Sequence, residues 1–131
     1  MTGIAGIPEV LDRFFTAINA QDTAQLADIF IDDVSYQLLV PYPPLIGKQA
    51  VVDALTASIT EADRVLWEIR SWSGDDDLAF VERIDRFWFN GREAAIECTG
   101  VFEMRGNAIA AVRDYADLGT WRTRKSAAIE P

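Results

Sequence analysis

The sequence predicts an α+β fold: a curved, mostly antiparallel sheet packed on three N-terminal helices. Three observations carry this. Helical periodicity is confined to the N-terminal half, long runs of period-two alternation fill the rest, and sharp turn signals separate consecutive runs. Helices followed by a strand meander argue α+β rather than alternating α/β. With 131 residues the chain, residues 1–131, suits one domain around one core. A strongly curved sheet wrapped over three helices forms a cone, and its mouth opens on a pocket lined by the concave strand faces.

Pro8 suits the first turn of a helix, and Leu11, Phe14, Phe15 and Ile18 then recur at helical spacing. Asp22 or Thr23 can cap a second, shorter helix carrying Leu26, Ile29 and Phe30. Val34 to Val40 reads as a strand, broken by Pro41-Tyr42-Pro43-Pro44. Gly47 precedes a third helix with Val51, Val52, Leu55 and Ile59 on one side. Long strands follow over Val65–Trp72, Leu78–Phe89, Glu93–Met104 and Ala108–Leu118, turning at Gly74–Asp77, Asn90-Gly91 and Arg105-Gly106-Asn107. The stretch 122–131 is small and charged and reads as a loose tail.

Composition narrows the chemistry. Half the residues are hydrophobic, a globular balance. No apolar run reaches the roughly 20 residues of a membrane-spanning helix, and the N-terminus lacks a signal-peptide pattern, so a cytoplasmic location is expected. A net charge of −9 argues against nucleic acid or an anionic membrane as partner, because phosphate binding relies on Lys and Arg. Histidine is absent and Cys98 is the single cysteine. That removes Ser-His-Asp and Cys-His catalysis, an internal disulfide and a zinc cluster. Asp75-Asp76-Asp77 reads as a solvated turn, since three adjacent carboxylates cannot converge on one ion. No metal or cofactor is expected.

Three charges interrupt apolar strand faces. Val81, Arg83, Asp85, Phe87 and Phe89 share one face of their strand. On the last strand Ala110, Val112, Asp114, Ala116 and Leu118 share a face, and Asp114 alone is polar there. A charge in an apolar setting costs several kcal/mol unless it is paired. Two acids and one guanidinium can satisfy each other, either as a network that only orders the sheet or as an acid–base pair with separated pKa values.

Glu82-Arg83-Ile84-Asp85, Gly100-Val101-Phe102 and Arg113-Asp114-Tyr115-Ala116-Asp117-Leu118, with Asp33-Val34-Ser35-Tyr36-Gln37 in the first strand and Pro43-Pro44 before Gly47, resemble the limonene-1,2-epoxide hydrolase family. That family lies within the NTF2-like, or SnoaL-like, cones. The likeness runs from about Val10 to Leu118. It implies a cofactor-independent hydrolase that opens an epoxide to a vicinal diol. Asp114 matches the general base that takes a proton from water, and Asp85 the general acid that protonates the epoxide oxygen. Arg83 matches the guanidinium between them, and Tyr36 one of two groups that hold the water. The family's second water holder is an Asn two residues after the Tyr, where this chain has Leu38. The stretch Tyr36–Gly47 is also one residue longer than usual, so a bulge can alter the alignment. Three outcomes stay open: a slow hydrolase, a substitute polar group, or a nucleophile other than water.

Alternation and resemblance together give the walls as Leu38, Val81, Phe87, Ile96, Cys98, Val112, Ala116 and Leu118. They are nearly all apolar, so a small, lipophilic, uncharged substrate is expected. Arg113, Tyr115 and Asp117 fall on the opposite face from Asp114. The apolar outer positions Ile84 and Trp88 suggest a covered sheet and a homodimer, as in this family. The rivals are an epoxide-opening cyclase, a proton-transfer isomerase or dehydratase, and a lipophilic binding module without turnover.

Overall fold

In the computed structural model, which describes residues 2–130, six strands form one open sheet in the order β2-β1-β6-β5-β4-β3, with helices packed against it. Helix α1 spans Glu9–Asn19 and α2 Thr23–Leu26. Strand β1 runs Phe30–Gln37, β2 Leu45–Ile46, and α3 occupies Lys48–Glu61. The meander follows as β3 Arg64–Gly74, β4 Leu78–Phe89, β5 Arg92–Arg105 and β6 Ala108–Tyr115, and α4 closes the described chain at Leu118–Ile129. The α+β expectation holds. The one parallel pairing is β1 with β6.

The apolar stripe of α1 (Leu11, Phe14, Phe15, Ile18) and that of α3 (Val51, Leu55, Ile59) are fully buried against the inner face of the sheet. Phe14 is the hub, meeting Phe15, Phe30, Trp67 and Phe102 edge-on. Register shifts interrupt β1–β6, β3–β4 and β5–β6. Such bulges bend strands and raise twist, which is how long hairpins become a cone. The hairpin between β4 and β5 turns on Asn90 and Gly91, both at positive φ (51° and 81°), as a two-residue turn demands.

Besides shifts of one or two residues at the ends of β3 and β5, four boundaries differ from the sequence reading. The second helix stops at Leu26, because β6 claims the next backbone: the Ile109 N–H donates to the Ile29 carbonyl at 2.8 Å. The first strand begins at Phe30 and ends at Gln37 rather than spanning 34–40. The last strand ends at Tyr115, not Leu118. The expected loose tail over 122–131 is, through Ile129, helical. Asp117 caps α4, accepting from the Gly119 N–H at 3.0 Å and the Thr120 hydroxyl at 2.9 Å. Trp121 packs on Phe87 at 5.0 Å, Lys125 reaches Glu61 of α3 at 2.7 Å, and Arg124 reaches Glu97 of β5 at 2.6 Å. The helix has no apolar stripe, and only Ala128 is buried, so periodicity could not reveal it.

Candidate functional site

Alternation along β4 turns Arg83 and Asp85 inward with Val81 and Phe87, and β6 turns Asp114 inward beside Val112. The three charged side chains are 1%, 6% and 5% exposed, so they must satisfy one another. They do so through one guanidinium. Arg83 Nε donates to Asp85 Oδ1 at 2.7 Å and Nη2 to Asp85 Oδ2 at 3.2 Å. The same Nη2 donates to Asp114 Oδ2 at 2.9 Å. The guanidinium lies 4.9 Å from the Trp67 ring and 5.8 Å from Phe15, a stacked setting that suits Arg and not Lys. Tyr36 on β1 aims its hydroxyl at Asp114 Oδ2, a long contact of 3.4 Å. Asp114 Oδ1 has no hydrogen-bond partner among the described residues.

Burial and charge set the protonation states. Burial pushes the Asp85 carboxyl up to about 6, against the pull of Arg83. Burial would lower the Arg83 pKa, but the Asp114 and Asp85 carboxylates outweigh it and hold the guanidinium well above its ordinary value. Burial, then the Asp114 charge, raises Tyr36 far above the phenol range, so it is a neutral O–H donor. Burial also pushes the Cys98 thiol up, leaving it a wall rather than a nucleophile.

Asp85 and Asp114 sit at one side of a cavity of about 250 Å³. Six of the expected wall residues line it: Leu38, Phe87, Ile96, Cys98, Ala116 and Leu118. Val81 and Val112 do not; both are fully packed core residues behind the site. Arg83 and Tyr36 also stand behind the carboxylates rather than on the cavity surface. Asp117 corrects the alternation reading. The strand ends before it, so it turns into the cavity mouth as the cap of α4 instead of facing outward.

Alternation missed Leu39, Leu55, Ser58, Trp67 and Trp121, which complete the lining. Trp67 was findable, since it pairs with Asp85 across β3–β4, but that register is not written in either strand alone. Trp121 lay in the supposed tail. Leu39 enters through an irregularity after β1. Gln37 pairs with Arg113, so a regular ladder would bring the Leu39 N–H to the Asp114 carbonyl; Val40 donates there instead, at 2.9 Å. One extra residue is therefore accommodated, and the consecutive Leu38 and Leu39 both reach the cavity. Gln37 does not substitute for the missing Asn, because its amide donates to the Tyr42 carbonyl at 2.8 Å.

Among the described residues no cluster of His, Cys, Asp and Glu has the make-up of a metal site. No described helix is long and apolar enough to cross a membrane.

The family model of the SnoaL-like domain matches residues 11–112. Among solved structures, the fold is similar to an LEH-like epoxide hydrolase of M. tuberculosis, at 21% identity, covering 92% of this chain and 90% of that one, with a TM-score of 0.74. It is similar to a provisionally named isomerase from Rhodopseudomonas palustris (18% identity, 92% and 98% covered, TM-score 0.76). A provisionally named polyketide cyclase from Xanthomonas campestris is equally near (17% identity, 88% and 93% covered, TM-score 0.75). These likenesses establish a cone shared by proteins named for different chemistries.

Proposed function

We propose that this chain, which belongs to the SnoaL-like domain family, is a limonene-1,2-epoxide hydrolase-like enzyme that opens a small lipophilic epoxide to a vicinal diol without a cofactor. One observation carries the reading: a single buried guanidinium holds two carboxylates at an otherwise mainly apolar cavity, and those carboxylates differ in environment. Asp85 takes two bonds from Arg83 and is pushed to about 6. Asp114 takes one bond from Arg83 and a long one from Tyr36, both on Oδ2, and none on Oδ1. A carboxyl that burial pushes up, beside a second carboxylate on the same guanidinium, supplies an acid next to a base.

In the reaction Asp114 takes a proton from water as the water oxygen bonds to one epoxide carbon. The carbon–oxygen bond of the ring breaks, and the leaving oxygen takes the proton of Asp85. Asp114 ends protonated and Asp85 ionised, and a proton passes back between them before the next turnover. Arg83 keeps its charge throughout and holds both acids in register, while Tyr36 orients the Asp114 carboxylate. General acid and base help is worth roughly 10²–10⁴-fold each. A cavity of about 250 Å³ with mostly apolar walls suits terpene, cyclic and aryl epoxides. A homodimer through the outer sheet face, where Ile84, Trp88 and the half-exposed Tyr115 lie, belongs to the same proposal and is checked by sedimentation.

The test is diol formation from limonene, cyclohexene and styrene oxides in ¹⁸O-labelled water. Labelled diol is expected, with turnover falling as pH rises through about 6, where Asp85 loses its proton. Folded protein that yields no diol from any epoxide sinks the hydrolase reading.

A specific observation favours one second reading, an epoxide-opening cyclase in which the substrate's own hydroxyl attacks. Leu38 and Leu39 occupy the wall where a water-holding amide would be needed, and misplacing an attacking water by about 1 Å costs on the order of 10²-fold. Leu38→Asn is therefore expected to raise hydrolysis about tenfold if water is the nucleophile. An unchanged rate would mean that water is held otherwise, and unlabelled cyclic ether from an epoxy alcohol would establish the cyclase.

A further inference from the structure

Arg83 and Asp114 stand on strands that are not neighbours. Strand β5 runs between β4 and β6, and adjacent strands lie about 4.8 Å apart, so the ion pair closes over the β5 backbone. The residue beneath it is Gly100, which pairs with Asp114 on one side and Val81 on the other. A Cβ at position 100 would stand 2.6 Å from Arg83 Nη1, 2.7 Å from Asp114 Oδ1 and 2.9 Å from Phe102 Cε1. All three approaches are well inside van der Waals contact.

None of the three can retreat cheaply. Arg83 is bonded to Asp85 through Nε and Nη2 and lies over the Trp67 and Phe15 rings. Asp114 is held by Arg83 and Tyr36. Phe102 is fully buried and packs edge-on against Phe14 and Phe15. Glycine in a strand interior weakens the strand and marks a close approach by another group. The φ at Gly100 lies outside the left-handed range, so what this position requires is the absent side chain rather than backbone freedom.

We propose that Gly100 is a positioning residue of the site: the missing side chain lets Arg83 of β4 and Asp114 of β6 join across β5. The catalytic consequence rests on the epoxide reading; the geometric statement does not, and the experiment separates them. Gly100→Ala is crystallised, and its Arg83 guanidinium protons are followed by ¹⁵N NMR alongside wild type. The Arg83–Asp114 separation is expected to open beyond the roughly 4 Å of an ion pair. The protection of the Nη2 proton donated to Asp114 should be lost, while the Nε and Nη2 protons donated to Asp85 persist. Epoxide turnover should fall about 10²-fold in kcat with KM nearly unchanged, the cost of a misplaced base. An intact pair overturns the proposal, as does a broken pair with wild-type turnover. If wild type opens no epoxide, the hydrolase reading fails alone and the separation still decides Gly100. Should Gly100→Ala not fold, Asp114→Ala is made alone and with Gly100→Ala. Recovery of a folded double variant supports the proposal. An unfolded double variant assigns the glycine to packing other than the Asp114 contact, such as that against Phe102, and overturns it.

Discussion

Asp114→Asn is expected to lower kcat for epoxide opening by roughly 10²–10⁴-fold while substrate binding survives. The size follows from removing the base outright, since positioned proton transfer contributes roughly 10²–10⁴-fold. Binding survives because the amide keeps the shape of the carboxylate at a cavity whose other walls are mainly apolar. The fold survives because Arg83 keeps its two bonds to Asp85 at 2.7 and 3.2 Å, and the amide oxygen can still accept from Nη2. Diol is followed by chiral gas chromatography, and binding by calorimetry with the product diol. Undiminished turnover would strip Asp114 of its role and leave the triad a structural network. Lost binding with lost turnover would mean that the substitution had collapsed the cavity instead.

The largest expected effect on stability is that of Arg83→Met. The variant keeps an unbranched side chain of comparable bulk but leaves two buried acids without a cation. Breaking a buried pair from one side costs about 3–5 kcal/mol, a large share of the 5–15 kcal/mol that holds a domain together. The sign of its pH dependence follows from linkage. Burial raises the folded-state pKa of Asp85, and Arg83 is what pulls it back, so without the guanidinium it lies further above its unfolded value. Stability is then retained where Asp85 is neutral, at low pH, and lost as pH rises through the raised value. Urea unfolding at about pH 5 and about pH 8 should therefore show the deficit growing with pH. A variant as stable as wild type at the higher pH would mean that Arg83 does not compensate the acids. Arg83→Lys should recover little, since a lysine offers neither the fork that grips Asp85 through two nitrogens nor the flat face set against Trp67.

The triad is legible in the sequence because alternation in a strand is strict. A two-residue period leaves Arg83 and Asp85 no choice but to share a face with Val81 and Phe87, and a charge on such a face has to be paired. The same rule misled at Asp117, and it ran the strand on to Leu118, which lines the cavity from the start of α4 instead. Periodicity carries no mark of where a strand stops, so the capping residue Asp117 reads as one more outward position. It also gave Val81 and Val112 to the cavity, although a face shared with a cavity residue includes core as well as wall. Helix α4 escaped because its contacts are a cap, one tryptophan and scattered ion pairs, none of which leaves a stripe of apolar residues.

By itself the sequence determined the order of the main helices and strands as far as β6, the inward direction of Arg83, Asp85 and Asp114, and the apolar character of the pocket, because these follow from local periodicity and from the cost of unpaired charge. Tertiary structure alone decided which side chains meet. The sheet order sets β5 between the two halves of the triad and makes Gly100 the crossing point. The irregularity after Gln37 brings Leu38 and Leu39 to one cavity, and the cap at Asp117 swings Trp121 over Phe87. Each depends on register between segments distant in the chain, and register is settled by the packing of all of them at once rather than by any one stretch of residues.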